Sequence, residues 1–374
     1  MKTVYLLGAG ASIGNTHGKF PGIDTIFRTA KDLNILSETK KKVLSQFDDL
    51  SKYVKTIMKK NVLVKSEKIN IETLMTYIDL ELEASNDNSY YYDLKAKLNK
   101  IIRDVIIKSS EAYLSDNEYC EYKMLSDILT KEDTIITYNW DTMLDDILGR
   151  NFLINDISNP DSNIKEEFRG NQYYNFLYDI SAIALRTFGH ISIDQPYSVY
   201  VNKKGYFLKQ HGSIDWYYCS NKDCRAYGAI FPMDEHITDG YYCSECHTKL
   251  EVLIVPPLLN KRIRTFPTLN RIWNLSAQEI SNCQRLVIWG YSFPPTDFYS
   301  KWLISKNSNS IEDLIIINPN LIRKTTENIF RNFIFLDNIK SVLPIVNINT
   351  SYYEYFEDFI NHNDINHKYG QVIF

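Results

Sequence analysis

The sequence has neither a long hydrophobic run nor a marked excess of one charge. No apolar run reaches the roughly 18 residues that a membrane-spanning helix needs, and Lys+Arg 42 against Asp+Glu 46 gives a formal net charge of −4. These absences disfavour an integral membrane protein and give no sign of a nucleic-acid-binding surface. The short apolar run at residues 3–7 ends in a glycine turn, so we interpret it as a strand and not as a secretion signal. We therefore expect a soluble, cytoplasmic protein that contacts neither membranes nor nucleic acid directly.

Cysteine is also scarce, and its distribution is uneven. Four of the six cysteines form two pairs, with four residues inside the first pair, two inside the second and eighteen between them. Two short knuckles of this kind suit four soft thiolate ligands around a tetrahedral zinc ion, whereas free thiols are the alternative. The four candidate ligands are Cys219, Cys224, Cys243 and Cys246. Their spacing predicts a closed, structural zinc site.

Four apolar segments have the pattern of buried strands. They cover residues 3–7, 133–137, 285–289 and 314–317, and small or polar residues follow each of them. Continuous apolar strands are typical of parallel sheets, and such sheets bind ligands beyond the carboxyl ends of their strands. The sequence therefore predicts an α/β fold with a Rossmann-type parallel sheet and one ligand-binding edge.

The turn after the first strand has the composition of a phosphate-binding turn. Gly8, Ala9, Gly10 and Ser12 follow the strand directly, and glycines permit both a sharp turn and the close approach of a phosphate. Gly14 stands one residue later than the third glycine of the usual fingerprint. A tight turn without a ligand is the alternative interpretation.

The remaining segments divide the chain into modules. Apolar residues at helical spacing predict a helical module at about 31–130, and poor periodicity predicts an insertion of helices and loops at about 145–205. The cysteines define a zinc module at about 217–250. We expect the main domain to cover 1–340, with a C-terminal helical extension at 341–374 that includes the aromatic and acidic stretch 350–356.

Three polar residues are further candidate site residues. His211 precedes Gly212 and the cysteine cluster; an active-site base is favoured over a structural, hydrogen-bonded histidine. Asn139 and Asp141 follow the second strand, where ligands bind in such sheets. Alternatively, Asn139 caps the following helix and Asp141 only interacts with the helix dipole.

In their order along the chain, these motifs resemble those of sirtuins. The shared motifs are residues 8–12, 137–141 and 211–213, the four cysteines, residues 290–292 and Asn318. They span roughly residues 1–330, and the likeness is closest to the bacterial sirtuin-like domains of antiphage defence systems. The resemblance implies a Rossmann-type domain that carries a helical module and a small zinc-ribbon module, with NAD bound between them.

The resemblance also implies a role for each residue. The implied NAD-binding residues are Gly8, Ala9, Gly10, Ser12, Asp141, Gly290, Ser292 and Asn318. The glycine turn and Ser292 would hold the pyrophosphate, Asn318 the adenine ribose and Asp141 the nicotinamide carboxamide. Asn139 would position a water or a ribose hydroxyl near the anomeric carbon, and His211 would act as the general base.

Departures from deacylating sirtuins bear on the expected activity. Trp140 stands where those enzymes usually have isoleucine, and residues 18–28 match their Gly-Ile-Pro-Asp-Phe-Arg stretch only loosely. The defence-associated relatives hydrolyse NAD to nicotinamide and ADP-ribose, so the resemblance implies an NAD glycohydrolase. An NAD-dependent protein deacylase and a non-catalytic NAD or ADP-ribose sensor are the alternatives. The implied partners are other copies of the chain, a ring-forming ATPase of the HerA type or a phage-derived trigger.

Overall fold

Strands and helices make up most of the described residues. The computed structural model describes residues 1–36, 41–85, 88–114, 120–130, 132–148, 174–176, 204–232, 241–256, 266–294, 296–319, 337–343 and 348–363. The strands are β1 (Thr3–Leu7), β2 (Thr134–Thr137), β3 (Tyr174–Phe176), β4 (Lys204–Lys209), β5 (Gly212–Tyr218), β6 (Ile230–Pro232), β7 (Glu251–Ile254), β8 (Arg285–Trp289), β9 (Asp313–Ile317) and β10 (Asn349–Tyr353). The main helices are α1 (Ala9–Asn15), α2 (Ile26–Asp32), α3 (Lys41–Met58), α4 (Ile71–Ala84), α5 (Ser89–Leu114), α6 (Glu121–Ile128), α7 (Met143–Ile147), α8 (Pro267–Ser281), α9 (Phe298–Asn307) and α10 (Phe356–Asn363).

Seven strands form a single parallel sheet. Their order is β10-β9-β8-β1-β2-β4-β3, and each neighbouring pair runs parallel. The strand β1 lies at the centre, where Val4 pairs with Thr134 on one side and with Leu286 on the other. The α/β fold with a Rossmann-type parallel sheet is thus confirmed, and the carboxyl ends of its strands share one edge.

The central strands are apolar on both faces because helices cover both faces. Tyr5 and Leu7 contribute to one buried cluster, which also includes residues of α4 and α5. Val4 and Leu6 contribute to the other cluster, which includes residues of α8 and α9. Full burial of each such aliphatic side chain stabilises the fold by about 1.5–3 kcal/mol. This two-sided burial explains why the strands are continuous apolar runs rather than alternating ones.

Helices occupy the segment for which helical spacing was predicted. The helices α3 to α6 fall between residues 41 and 128, and α5 alone spans Ser89–Leu114. The N-cap of α4 is Asn70, whose side chain accepts a hydrogen bond from the amide of Thr73 at 2.9 Å. The division of the chain into domains stays a prediction.

The C-terminal segment is only partly helical, so the prediction for 350–356 is wrong at its start. Asn349–Tyr353 forms β10, which pairs with β9, and α10 begins at Phe356. The β-branched and aromatic side chains of Thr350, Tyr352 and Tyr353 favour an extended strand beside a neighbour. Most of the insertion predicted at 145–205 lies outside the described residues, although β3 and the first residues of β4 fall within it.

A second, smaller sheet follows the main one. Its order is β6-β5-β7, and both pairings are antiparallel. The strand β5 starts three residues after β4 ends, so one turn joins the two sheets. Across the part of the chain described above, no helix has the length and apolarity that crossing a membrane would need.

Candidate active site and metal centre

A cavity of about 790 Å³ lies along the carboxyl edge of the main sheet. Its walls include the segments that follow β1, β2, β4, β8 and β9, and residues of the helices α4, α5 and α6 contribute to them. The candidate residues that line it are Ala9, Gly10, Asn139, Asp141, His211, Gly290, Ser292 and Asn318. Gly8 and Ser12 lie behind this lining. The structure therefore brings the two candidate catalytic residues, Asn139 and His211, to one cavity with most of the candidate ligand-binding residues.

Close backbone packing requires the glycines of the first turn. The amide of Gly10 donates to the carbonyl of Gly290 at 2.9 Å, and the amide of Gly8 donates to the carbonyl of Trp289 at 3.0 Å. A Cβ on Gly10 would lie 2.7 Å from the Cα of Gly290, and a Cβ on Gly8 would lie 2.6 Å from the Cα of Tyr291. These two amides have protein partners, so the phosphate-binding role of the turn stays a prediction.

Ser12 supports the candidate residues from behind the cavity. It is fully buried, and its Oγ donates to Oδ2 of Asp141 at 2.7 Å and accepts from Nδ2 of Asn139 at 2.9 Å. The hydroxyl of Tyr122 lies 2.8 Å from the same Oγ, and it must be the donor because the Ser12 proton points to Asp141. With its hydroxyl engaged in this way, Ser12 is better placed to orient Asn139 and Asp141 than to contact a pyrophosphate.

The two ends of the Asn139 side-chain amide differ in their hydrogen bonding. Its Nδ2 donates to Ser12, whereas its buried Oδ1 accepts no hydrogen bond from the residues described. A buried acceptor without a partner costs about 1–3 kcal/mol, so such an atom at a cavity wall marks a place for a donor on a ligand or a water. The alternative in which Asn139 caps the following helix is wrong, because the N-cap of α7 is Thr142.

For Asp141, ligand binding and an interaction with the helix dipole do not exclude each other. Its Oδ1 accepts from the amide of Met143 at 3.2 Å, so it does interact with the first turn of α7, while the residue also lines the cavity. Burial raises the pKa of this carboxyl, and the charge of Lys209 and the hydrogen bond from Ser12 oppose the shift.

A buried lysine holds the loop between β2 and α7. Lys209 ends β4, and its Nζ lies 2.9 Å from Oδ2 of Asp145 and 2.6 Å from the carbonyl oxygen of Asp141. Both side chains of the ion pair are 1% exposed. The contact joins the carboxyl end of β4 to the loop that carries Asn139 and Asp141.

His211 lies at the turn between the two sheets. Gly212 has φ +76°, and a Cβ there would lie 2.0 Å from the carbonyl oxygen of Leu253, so only glycine fits. The carbonyl of His211 accepts from the amide of Val255 at 2.8 Å. Its Nε2 lies 3.4 Å from Oδ2 of Asp297, and the ring of Tyr138 meets the imidazole edge-on at 5.0 Å.

The four clustered cysteines converge on one point beside the smaller sheet. Their Sγ atoms all lie within 4.8 Å of one another, with 3.6 Å between Cys219 and Cys246 and 3.8 Å between Cys224 and Cys243. Four thiolates at about 2.3 Å from a tetrahedral zinc ion would stand about 3.8 Å apart, so the set fits zinc. Hydrogen bonding to Thr248 lowers the pKa of the Cys246 thiol to about 6, whereas burial raises the pKa of the Cys219 and Cys224 thiols. His211 does not belong to this set.

Sequence reasoning missed four side chains that complete the site. They are Tyr122, Tyr138, Lys209 and Asp297. A lysine at the end of a buried strand is a signal that could have drawn attention to Lys209, and an acidic residue before a helix marks Asp297 as an N-cap. No local sequence pattern predicts the hydrogen bond between Tyr122 of α6 and Ser12.

No protein-family model matches the sequence, and no curated protein matches it either. Among solved structures, a Sir2 homologue triple mutant in complex with 2′-O-acetyl ADP-ribose aligns with a TM-score of 0.42 at 12% identity, over 91% of this chain and 93% of that one. A Sir2 homologue in complex with NAD gives a TM-score of 0.40 at 11% identity, over 91% of each chain. A Sir2 enzyme bound to a propionylated peptide gives 0.35 at 13% identity, over 97% and 92%. Likenesses of this size do not decide the family, which stays a resemblance carried by the motifs.

Proposed function

We propose that the protein is an NAD glycohydrolase that cleaves NAD to nicotinamide and ADP-ribose. The observation that carries the proposal is the buried Oδ1 of Asn139, which accepts no hydrogen bond from the residues described, in a residue that lines the same cavity as His211. The sirtuin-like order of motifs supplies the identity of the ligand. The cavity volume of about 790 Å³ falls within the range of small-molecule and cofactor sites.

The reaction needs an ordered water and an acceptor for its proton. The bond between the ribose C1′ and the pyridinium nitrogen breaks, and neutral nicotinamide leaves with the electron pair. Water adds to the oxocarbenium-like ribose, and one of its protons is lost to give ADP-ribose. Asn139 would orient this water through its free Oδ1, and His211 would take the proton, because imidazole titrates near neutrality.

The remaining cavity residues would bind the rest of the substrate. The side chain of Asp141 would accept from the amide group of nicotinamide, and Asn318 would bind the adenine ribose at the end of β9. Ala9, Gly10, Gly290 and Ser292 border the space between these two ends, where a pyrophosphate would lie. Trp140 also lines the cavity, at the position where deacylating sirtuins usually carry isoleucine, and this departure favours hydrolysis over deacylation.

Nicotinamide release from NAD alone tests the proposal. We expect release by the wild-type chain, with a loss of about 100-fold or more in Asn139→Ala and in His211→Ala, the range over which positioned acid–base groups act. Asn270→Ala, at an exposed asparagine of α8, is the matched control and should retain full activity. Release only with an acyl-lysine peptide would establish a deacylase, and nucleotide binding without turnover, with and without an activating partner, would establish a sensor.

We further propose that this activity serves antiphage defence and that assembly or a partner controls it. Both ideas rest on the sequence resemblance to the defence-associated sirtuin-like domains. Bacteria that express the wild-type chain should lose cellular NAD during phage infection, whereas cells with Asn139→Ala should not. The native mass of the chain, measured alone and with a ring-forming ATPase of the HerA type, tests the expected oligomer and partner. Unchanged NAD in infected cells would refute the defence role.

The cysteine cluster would hold a structural zinc ion. Cys219, Cys224, Cys243 and Cys246 fill a tetrahedral shell and leave no position for a substrate. The ion would tie the end of β5 to the turn before β7, and β5 begins directly after His211.

A further inference from the structure

We propose that Asp297 is a positioning residue for His211, whose carboxylate orients the imidazole, selects its tautomer and stabilises its protonated form. This inference rests on the proposed function, since it assumes that His211 accepts a proton during the reaction. Asp297 touches His211 and lines the same cavity.

The contact links two separate strand ends. Asp297 belongs to the segment after β8 and is the N-cap of α9, whereas His211 follows β4. The order β8-β1-β2-β4 places these two strands on opposite sides of the central pair. The carboxylate of Asp297 therefore contacts His211 from the opposite side of the central strand pair. No local sequence pattern predicts this contact.

Both carboxylate oxygens of Asp297 face donors. Its Oδ2 accepts from the hydroxyl of Tyr291 at 2.7 Å and lies 3.4 Å from Nε2 of His211, and its Oδ1 accepts from the amide of Ser300 at 3.4 Å. The side chain is fully buried. A buried, anchored carboxylate is a fixed acceptor, and this geometry favours a proton on Nε2 of His211.

Aromatic rings restrict the imidazole further. Tyr138 stacks on Tyr291 with ring centroids 4.3 Å apart and meets His211 edge-on at 5.0 Å. Burial and the charge of Asp297 raise the pKa of both phenols, so they stay neutral near pH 7. Lys209, the nearest cation along β4, is paired with Asp145, and Asp141 lies at the neighbouring strand end. Asp297 is thus a carboxylate in direct contact with the imidazole.

The tautomer determines which nitrogen can react. With the proton on Nε2, the ring lone pair lies on Nδ1, so Nδ1 is the nitrogen that accepts a proton from water or from a ribose hydroxyl. The imidazolium that forms carries its positive charge beside Asp297, and a carboxylate within this distance favours the charged form of histidine. The proton stays on His211, and Asp297 remains a carboxylate throughout.

The substitution Asp297→Asn tests this arrangement directly. The carbonyl of the new amide is expected to face the Ser300 amide, so its NH2 would face Tyr291 and His211. That NH2 group would donate to Nε2 and force the proton to Nδ1. Asp127→Asn makes the same chemical change at an exposed position of α6 and is the matched control.

Nuclear magnetic resonance of ring-15N-histidine protein gives a readout that is independent of NAD turnover. His211→Ala identifies the His211 signals. We expect the Nε2–H tautomer in the wild type and in Asp127→Asn, and the Nδ1–H tautomer in Asp297→Asn. The pKa of His211 should fall by about one unit in Asp297→Asn because a neighbouring negative charge is lost. An unchanged tautomer and pKa would overturn the proposal.

The pH profile of NAD hydrolysis gives the second readout. A base must be deprotonated, so kcat/KM should fall as the pH drops below the His211 pKa. In Asp297→Asn this acid limb should move to lower pH by about one unit, and the plateau should fall about 10-fold or more. If the resonances respond as expected but the wild type never hydrolyses NAD, the proposed function fails while the coupling of Asp297 to His211 stands.

Tyr291→Phe keeps the proposal testable if Asp297→Asn does not fold. This variant removes one hydrogen bond to Oδ2 but retains the carboxylate. The less stabilised carboxylate should interact more strongly with the imidazolium, so the His211 pKa should rise while the Nε2–H tautomer persists. A fall or no change in that pKa would contradict the assignment of Asp297.

Discussion

Gly290 controls how closely two strand ends approach each other. It has φ +67°, and a Cβ there would lie 2.1 Å from the amide nitrogen of Ala11 and 2.6 Å from the Cα of Gly10. The atoms that would clash are backbone atoms of the turn after β1, so they cannot move without displacing that turn. Because residue 290 has no Cβ, the backbone after β8 can pack directly against the backbone of the turn after β1.

Gly290→Ala should therefore destabilise the protein by about 3 kcal/mol, since backbone strain and a steric clash add at one position. Gly18→Ala is the control, because Gly18 has φ +82° but nothing within 4 Å of its Cβ position. This control change should cost only about 1 kcal/mol of left-handed strain. Urea unfolding of both variants measures the difference, and equal losses would show that close packing at Gly290 is not what requires glycine.

Among the secondary-structure elements, the end of β4 is bound to the loop after β2 by buried polar contacts. The link is the buried pair of Lys209 and Asp145, together with the bond from Lys209 to the carbonyl of Asp141. Pairing offsets the desolvation of both charges, but removal of one partner leaves the other buried and uncompensated. The two strand ends that carry Asn139 and His211 are held together by this contact.

We expect Lys209→Met to destabilise the chain by about 3–5 kcal/mol, the cost of leaving a buried carboxylate without its partner. Lys100→Met is the control, because Lys100 pairs with Asp104 at 2.6 Å on the exposed side of α5. Its loss should cost less than about 1 kcal/mol. Denaturant unfolding compares the two; a small loss for Lys209→Met would mean that the buried pair contributes little.

In the whole molecule, the smaller sheet and the cysteine cluster extend from the edge of the main sheet that carries the candidate site. The strand β5 begins at Gly212, directly after His211, and Cys219 comes immediately after β5. If the cysteine cluster became disordered, the disorder would therefore be expected to extend along β5 to His211. This connection predicts that a structural metal also supports catalysis, although it does not touch the substrate.

We expect one zinc ion per chain in the purified protein, measured by elemental analysis. Cys224→Ser should lose the metal and lower the melting temperature by about 3 °C, which corresponds to about 2 kcal/mol for a chain of this length. NAD turnover should fall with it. Cys120→Ser is the control, because Cys120 is the N-cap of α6 and serine is a preferred N-cap. Full metal content in Cys224→Ser would contradict the assignment of this ligand.

Much of the fold could be predicted from local patterns. The apolar runs of β1, β2, β8 and β9 are continuous because both faces of the sheet are buried, and such runs are visible in the sequence. The strand β4 begins and ends with lysine, and β10 is only partly buried and begins with polar residues, so neither has this pattern. The pairing of these strands with buried neighbours decides their structure, and that pairing is a property of the folded chain.

Residues close together in the chain predict the parallel sheet, the spacing of the four cysteines, the position of Asn139 just after a strand and the position of His211 just before Gly212 and the cysteine cluster. The tertiary structure alone decided that Ser12 supports Asn139 and Asp141, and that Asp297 meets His211. Such contacts depend on the order of strands in the sheet, and many strand orders would satisfy the same local pattern of burial.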